Sequence, residues 1–380
     1  MHQCIYNRNV KKIDTETKDK ERRKNKERRK NMTTVYLIRH AEAEGNLYRR
    51  AQGHYNSTIT DRGYRQIAAL AKRFADIPID AVYSSDLART CTTALAVTCP
   101  KKLPLHTSEQ LREVGMGVWE DRTWAEITRT DREQLVLFNT DCGKWHVEGG
   151  QDIVSVRERM TAELARIIDA HPGQTVAVFS HGMALRMLIG TLQGLTLAEI
   201  DRTGHAENTA VAKLACSEDG IRVLYRDDAS HLPPELLSLA HQAWTKDKEG
   251  LEAGIWFAPS GAEGHFDVLR EGTVIGAVSV GKCENGVAEI EEYRLERGER
   301  GKGFGIQLIG QAVSYMRSRG CDTLRCEIAK SNAPGLKRAQ QYGFTAVQET
   351  AESVVLTKYF GYNEEYRLKK LQEAIKLSGK

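Results

Sequence analysis

Apolar residues in this chain fall into two patterns, short unbroken runs and longer stretches with a three-to-four-residue repeat. Val35-Tyr36-Leu37-Ile38 is a run of strand formers, too short for a helix, that ends abruptly at Arg39-His40. Residues 59–75 follow with Ile67, Leu70, Ala71 and Phe74 at helical spacing. Ala81-Val82-Tyr83 predicts a second strand before Ser84-Ser85-Asp86, and residues 87–97 a second helix. Residues 156–170 read as an amphipathic helix closed by His171-Pro172-Gly173. Residues 175–179 predict a third strand, which ends in Ser180-His181-Gly182 and runs into a helix over 183–192. Strands alternating with helices predict a three-layer α/β unit, a mainly parallel sheet covered on both faces.

The pattern changes after His231-Leu232-Pro233-Pro234. A linker over 233–250 is expected to hold a helix at about 235–246 and then a polar break. Strands are predicted near 255–257, 265–269, 274–280 and 287–295, with turns at Arg270-Glu271-Gly272 and Glu284-Asn285-Gly286. A helix over 303–318, a strand over 323–328, a helix over 334–342 and two short strands complete an α+β unit with a mixed sheet, residues 251–362. Leu368, Leu371 and Ile375 mark an amphipathic helix within 363–380, expected to dock on its own domain.

Composition and charge narrow the picture. The 380 residues suit two or three domains, and 41% hydrophobic with 28% charged residues is ordinary for a globular chain. No apolar run approaches the ~20 residues that a bilayer crossing needs, so no membrane partner is expected. Eight cysteines without a C-x-x-C pair or a secretory signal read as reduced thiols of a cytoplasmic protein. The net charge of +4 is unevenly spread: residues 1–31 hold twelve Lys/Arg against five acids, which makes that segment +7 and leaves −3 for the rest. This arm reads as disordered and solvated, with Met32 a candidate start, so the first domain is taken as residues 32–232. A net acidic remainder gives no reason to expect a nucleic-acid partner.

Three separate strands end in reactive polar residues: Arg39-His40, Ser84-Ser85 and Ser180-His181. In open α/β sheets the carboxyl ends of the strands line the ligand crevice, so two histidines and an arginine are expected to converge there. These residues carry a resemblance. The run from Leu37 through Arg39-His40-Ala41-Glu42 to Gly45-Asn46 resembles the signature of the histidine phosphatase (phosphoglycerate mutase-like) superfamily. Tyr83-Ser84-Ser85-Asp86-Leu87-Ala88-Arg89-Thr90 is similar to its second block, and Leu111-Arg112-Glu113 with Gly117-Val118-Trp119-Glu120 to its acid-bearing loop. Phe179-Ser180-His181-Gly182 is similar to its second histidine block, and Gln52-Gly53, Thr60, Gly63 and Gln66 fit as well. Departures are Ala41, where glycine is usual, and Glu148-Gly149-Gly150-Gln151-Asp152 in a loop that bears on substrate recognition.

The resemblance implies a phosphoglycerate mutase-like fold and a set of roles. Neutral His40 attacks phosphorus and becomes a phosphohistidine, which splits one displacement into two. Arg39, Arg89 and a cationic His181 clamp the phosphoryl oxygens, with Asn46 donating an amide hydrogen bond. Glu113 protonates the leaving oxygen and later deprotonates water. Positive charge is already supplied, so no divalent metal is expected, and there is no H-E-x-x-H or Cys/His cluster. The substrate is a small phosphorylated metabolite. His40 and His181 lie 141 residues apart, without a long insertion, which favours hydrolysis over the alternative of a phosphoglycerate-type mutase.

In the second unit, Arg300-Gly301-Lys302-Gly303-Phe304-Gly305 stands between a strand and a helix. It satisfies neither G-x-x-x-x-G-K-[ST] nor G-x-G-x-x-G, yet glycines opening a helix present N–H groups to a phosphate. The stretch from Tyr293-Arg294-Leu295 to Gly305 resembles the acyl-CoA motif of the GNAT N-acetyltransferase superfamily, and Asn332-Ala333 with Tyr342-Gly343-Phe344 its next helix. The resemblance implies acetyl-CoA as co-substrate, an amine acceptor, and cofactor-binding positions Tyr293, Leu295, Arg300, Gly301, Lys302, Gly303, Gly305 and Asn332. The tyrosine that often protonates the departing thiolate falls at position 339, which is Ala339, three residues before Tyr342. Two readings follow: a bifunctional phosphatase and acetyltransferase, or a phosphatase with an inactive acyl-CoA-binding regulatory module.

Overall fold

The computed structural model describes residues 32–239, 246, 247 and 249–378. The predicted basic arm and most of the second half of the linker lie outside the described residues. Two sheets organise the chain. The first has six strands, β1 (Thr33–Arg39), β2 (Ala81–Ser84), β3 (Leu105–Thr107), β4 (Thr175–Ser180), β5 (Val211–Ser217) and β6 (Gly220–Asp228), in the order β3-β2-β4-β1-β5-β6. β1 runs parallel to β4, with Arg39 level with Ser180, and antiparallel to β5. The mainly parallel sheet was expected; the two antiparallel strands β5 and β6 at one side of it, the outer one alternating Arg and Asp with its apolar residues, were not.

Continuous apolar runs follow from burial on both faces. Val35 and Leu37 of β1 and Val176 and Val178 of β4 join one core, while Tyr36, Ile38, Ala177 and Phe179 join the core on the other face. Helices α1 (Glu44–Tyr48), α2 (Asp61–Phe74) and α3 (Ala88–Lys101) come early in the chain. Next come α4 (Trp124–Thr130), α5 (Arg132–Thr140), α6 (Ile153–Ala170), α7 (Gly182–Leu192) and α8 (Leu197–Asp201). Helix α2 buries Ile67, Leu70 and Phe74 on the second face, and α6 buries Val156, Met160, Leu164 and Ile167 on the first.

The second sheet has seven strands: β7 (Trp256–Pro259), β8 (His265–Arg270), β9 (Thr273–Val280), β10 (Val287–Leu295), β11 (Thr323–Ala329), β12 (Thr345–Glu349) and β13 (Ser353–Tyr359). Their order is β12-β13-β11-β10-β9-β8-β7, with α9 (Gly305–Arg317) and α10 (Ala333–Gln341). Helix α9 buries Leu308, Ile309, Ala312, Val313 and Met316 in this unit's core. The parallel pair β10 and β11 stays in register only from Val287–Thr323 to Glu289–Arg325 and then parts.

Three expectations are corrected. The described part of the linker is a single 3-10 turn, Pro234–Leu236, and Lys246 pairs with Glu252 as an antiparallel bridge, so the expected helix is absent from those residues. Pro233 and Pro234 open that turn, and a proline lacks the N–H that a helix interior needs. Cys283 and Cys321 are bonded, 38 residues apart, so the eight cysteines are not all free thiols; Cys91, Cys99, Cys142, Cys216 and Cys326 are free. The bonded pair is brought together by the chain reversals around β10 and α9 rather than by a local spacing.

The third correction concerns α11 (Glu364–Ser378). Its buried face packs on the first unit: Leu371 and Ala374 enter the core that holds Ile67 and Leu70, and Lys370 pairs with Asp61 at 2.5 Å, while Tyr366 keeps a ring contact with Tyr359 of β13. Ile375, expected on the buried face, is 47% exposed. Periodicity identified an apolar stripe but carried no information about which surface receives it.

The two units also meet through α1 and α9. Tyr48 of α1 is buried in the second unit's core, and its ring lies so close to Gly310 that a Cβ there would come within 2.5 Å of it. Arg50 donates to Gln311 at 3.1 Å and to Ser314 at 3.2 Å, and Arg317 pairs with Glu44 at 2.7 Å.

Candidate active site

His40 follows the last residue of β1, and its backbone N–H donates to the Ser180 carbonyl at 3.0 Å. Parallel pairing of β1 with β4 thereby brings His181, the N-cap of α7, beside it, with ring centroids 5.3 Å apart. Both rings are buried. The Nδ1 of His40 lies 2.7 Å from the Ala41 carbonyl, which can only accept, so Nδ1 carries the proton and Nε2 keeps its lone pair. On His181 the polarity is reversed. The Arg89 Nε–H donates to Nδ1 at 3.1 Å, so the hydrogen sits on Nε2.

Burial, and then the Arg89 and Arg39 guanidiniums, hold the His40 pKa well below the ordinary imidazole value. Burial, Arg89 and His40 do the same to His181. The free site therefore holds a neutral His181 that offers one N–H. An unfolded chain binds protons near pH ~6.5 at both positions and the fold does not, so stability falls as pH drops below that value. Each group adds a slope of up to about 1.4 kcal/mol per pH unit. Denaturant titrations between about pH 7 and pH 5 should show a shallower slope in a His40→Asn, His181→Asn double variant. An unchanged slope would contradict the burial of neutral rings.

Glu113 closes the opposite side. Its carboxylate accepts N–H groups from Met183 at 3.0 Å, Ala184 at 2.8 Å and Val114 at 3.0 Å, at the start of α7 where the helix dipole favours an anion. Arg39 donates through Nη1 to the Ala206 carbonyl, while its Nε is buried without a partner among the described residues. His181 Nε2 is likewise buried and unpartnered. The Asn46 Oδ1 accepts from the Ala43 N–H at 3.1 Å, which leaves its amide N–H groups for another acceptor. Arg89 sits one layer further back than expected. It donates to the Tyr55 carbonyl at 2.9 Å and the Gly53 carbonyl at 2.7 Å, besides His181. Glu120 fixes the same loop from the other side, accepting the N–H groups of Gly53, His54 and Tyr55 at 2.7 to 3.1 Å.

Arg39, His40, Asn46, Gln52 and Glu113 line the floor of a cavity of about 590 Å³. Trp124, Leu135 and Phe138 make an apolar wall, and Lys246 of the linker with Leu251 and Glu252 just after it close part of the mouth. Neither the wall nor the linker was foreseen as part of the site. Their residue types have no motif, and only the folded chain brings them to the floor residues.

In the second unit Gly301 and Gly303 adopt φ of 79° and 77°, a left-handed region open to glycine at little cost. With Lys302, Phe304, Arg270 and Lys246 they line a cavity of about 560 Å³ before the N-terminus of α9. Arg300 instead donates to the Leu295 carbonyl at 2.9 Å, and the Leu295 side chain is buried. The Asn332 side chain caps α10 by accepting the Gly335 N–H at 3.0 Å. Tyr293 and Tyr342 converge: both hydroxyls lie 2.4 Å from where a Cβ on Gly305 would stand. Ala339 is buried in this unit's core, where a tyrosine would overpack its neighbours.

Comparison with known proteins agrees with this arrangement. Residues 35–229 match the model of the histidine phosphatase superfamily (branch 1), and residues 227–344 that of the acetyltransferase (GNAT) family. A protein of Cronobacter sakazakii named "Probable phosphoglycerate mutase GpmB" is 33% identical over 209 residues, 53% of this chain and 95% of that protein. The protein of the same name from Proteus mirabilis is 32% identical over 185 residues, 48% of this chain and 85% of its own. The solved structure of Bacillus stearothermophilus YhfR superposes with a TM-score of 0.51 at 29% identity, over 52% of this chain and 98% of that one. Among the described residues no helix is long and apolar enough to cross a membrane, and no group of three or more His, Cys, Asp or Glu is placed to hold a metal ion. The chain belongs to the histidine phosphatase superfamily and carries a GNAT-family segment behind its phosphatase domain.

Proposed function

We propose that the first unit, residues 32–232, hydrolyses phosphomonoesters of small metabolites through a phosphohistidine at His40. The observation that carries this reading is the pairing of one free lone pair, on His40 Nε2, with two orphaned buried N–H donors, Arg39 Nε and His181 Nε2. A phosphoryl group satisfies both donors while its phosphorus meets the lone pair. His40 Nε2 attacks phosphorus, the ester P–O bond breaks, and Glu113, a carboxylate in the free site, gives the leaving oxygen the proton it takes up as the ester binds. Water then attacks the phosphohistidine, Glu113 takes back a proton, and phosphate departs with His40 restored. Asn46 donates to the phosphoryl oxygens, and Arg89 acts chiefly by fixing the His181 tautomer. Phosphate release from aryl phosphates, unchanged in EDTA, tests the reading. Stoichiometric conversion of 2- into 3-phosphoglycerate without phosphate release would favour the mutase named for the relatives.

For residues 251–362 we propose binding of an acyl-CoA thioester, whose thiolate is the leaving group when its acetyl passes to an amine. The N–H groups of 301–305 at the start of α9, with Lys302 and Arg270, suit a pyrophosphate. The parting of β10 from β11 leaves strand backbone beside Tyr293 open to a pantetheine-like arm. Tyr342, beside Tyr293, is the hydroxyl that would give a proton to the departing sulfur. Tyr342→Phe is expected to lower acetyl transfer on the order of a hundredfold with acetyl-CoA affinity unchanged, measured by CoA release and calorimetry. Tight binding with no turnover on any amine would favour the regulatory module instead.

A further inference from the structure

We infer that Lys246, from the linker, selects phosphomonoesters that carry a second anionic group, and is a specificity residue of the phosphatase cavity. This rests on the phosphatase reading above. The cavity floor supplies the groups that suit the phosphoryl end, and its wall of Trp124, Leu135 and Phe138 is apolar. Among the described residues, the two arginines that line the cavity beside Lys246 are compensated. Arg49 pairs with Glu252 at 2.6 Å and Arg50 with Asp121 at 2.7 Å. Lys246 is exposed and has no carboxylate partner among the described residues, and its charge reaches His205 on the same rim. An uncompensated ammonium at the mouth, opposite a phosphate-sized floor, complements a carboxylate or second phosphate on the substrate body.

The lysine stands on a fixed base rather than on a loose tether. Lys246 and Glu252 pair across a turn, and Asp247 accepts the Glu249 and Leu251 N–H groups at 2.9 and 2.8 Å. Arg132 holds Asp247 from outside, and Leu251 is buried in the first unit's core. The Arg49 to Glu252 pair ties this base to the end of α1, the helix that carries Asn46. Lys246 also borders the cavity before α9, so an anion there is the competing use of its charge.

Two aryl phosphates that differ by one charge, phenyl phosphate and 4-carboxyphenyl phosphate, separate these uses. The wild-type chain should favour the carboxylated compound. Lys246→Ala should cut kcat/KM for it about tenfold, mainly through KM, with phenyl phosphate within about twofold. Lys246→Glu should invert the preference. Equal losses on both compounds, or no change on either, would overturn the inference while leaving the phosphatase reading intact. A loss confined to acetyl-CoA affinity would overturn it in favour of the neighbouring cavity. Failure of the wild type to hydrolyse either compound would overturn the phosphatase reading and the inference with it.

Discussion

Replacing His40 with alanine is expected to abolish phosphate release, with a loss on the order of a thousandfold or more, because the variant has no nucleophile at phosphorus. His181 cannot substitute. Its Nδ1 lone pair is taken by Arg89 and its Nε2 bears the hydrogen, so it has no free lone pair to aim at phosphorus. Rapid quenching with a labelled phosphomonoester should trap acid-labile phosphate on the wild type, mapped to His40, and none on the variant. Label on another residue, or a variant within about tenfold of wild type, would end the covalent mechanism. His40→Ala should keep its fold, since the ring borders a cavity rather than a filled core.

Gly310→Val should impair the phosphatase although position 310 lies in the GNAT-family segment. A Cβ at 310 would come within 2.5 Å of the Tyr48 Cβ and Cγ, and neither the α9 backbone nor the base of the tyrosine side chain can swing away. The strain falls on α1, five residues long, which carries Asn46 at its centre and ends beside Arg50 and its bonds to Gln311 and Ser314. A shift near 1 Å at a positioning residue costs on the order of a hundredfold, so a fall in kcat/KM of about ten- to a hundredfold is expected. Tyr48→Ala in the same chain should recover much of it by removing the ring that valine meets. Wild-type rates in Gly310→Val would show that α1 does not depend on α9, and loss without rescue would point to unfolding, readable by circular dichroism.

Much of the site was legible because its chemistry stands where apolar runs stop. Arg39-His40 and Ser180-His181 end strands whose residues are buried on both faces, so the run, its end and the reactive pair are visible together in one stretch of chain. Glu113 and Arg89 were found by block, not by periodicity. What stayed illegible is relational. Nothing in the residues near Arg89 states that its guanidinium will be spent on the Gly53 and Tyr55 carbonyls, which are folded against it from a distant loop. Lys246 reads as one more charge in a polar stretch until Arg132 and Leu251 pin that stretch over the cavity. The protonation of His181 depends on burial that only the assembled layers create.

Where α11 ends up has a consequence for how this protein is made. The layer over α2 and α3 is completed by Leu371 and Ala374, which are translated long after the first sheet. A ribosome that has already delivered the whole first sheet still leaves part of that apolar surface uncovered, near Ile67 and Leu70, until the remaining chain emerges. The N-terminal unit thus waits on the C-terminal one during synthesis, and nascent chains held at that stage present a sticky face that chaperones can engage.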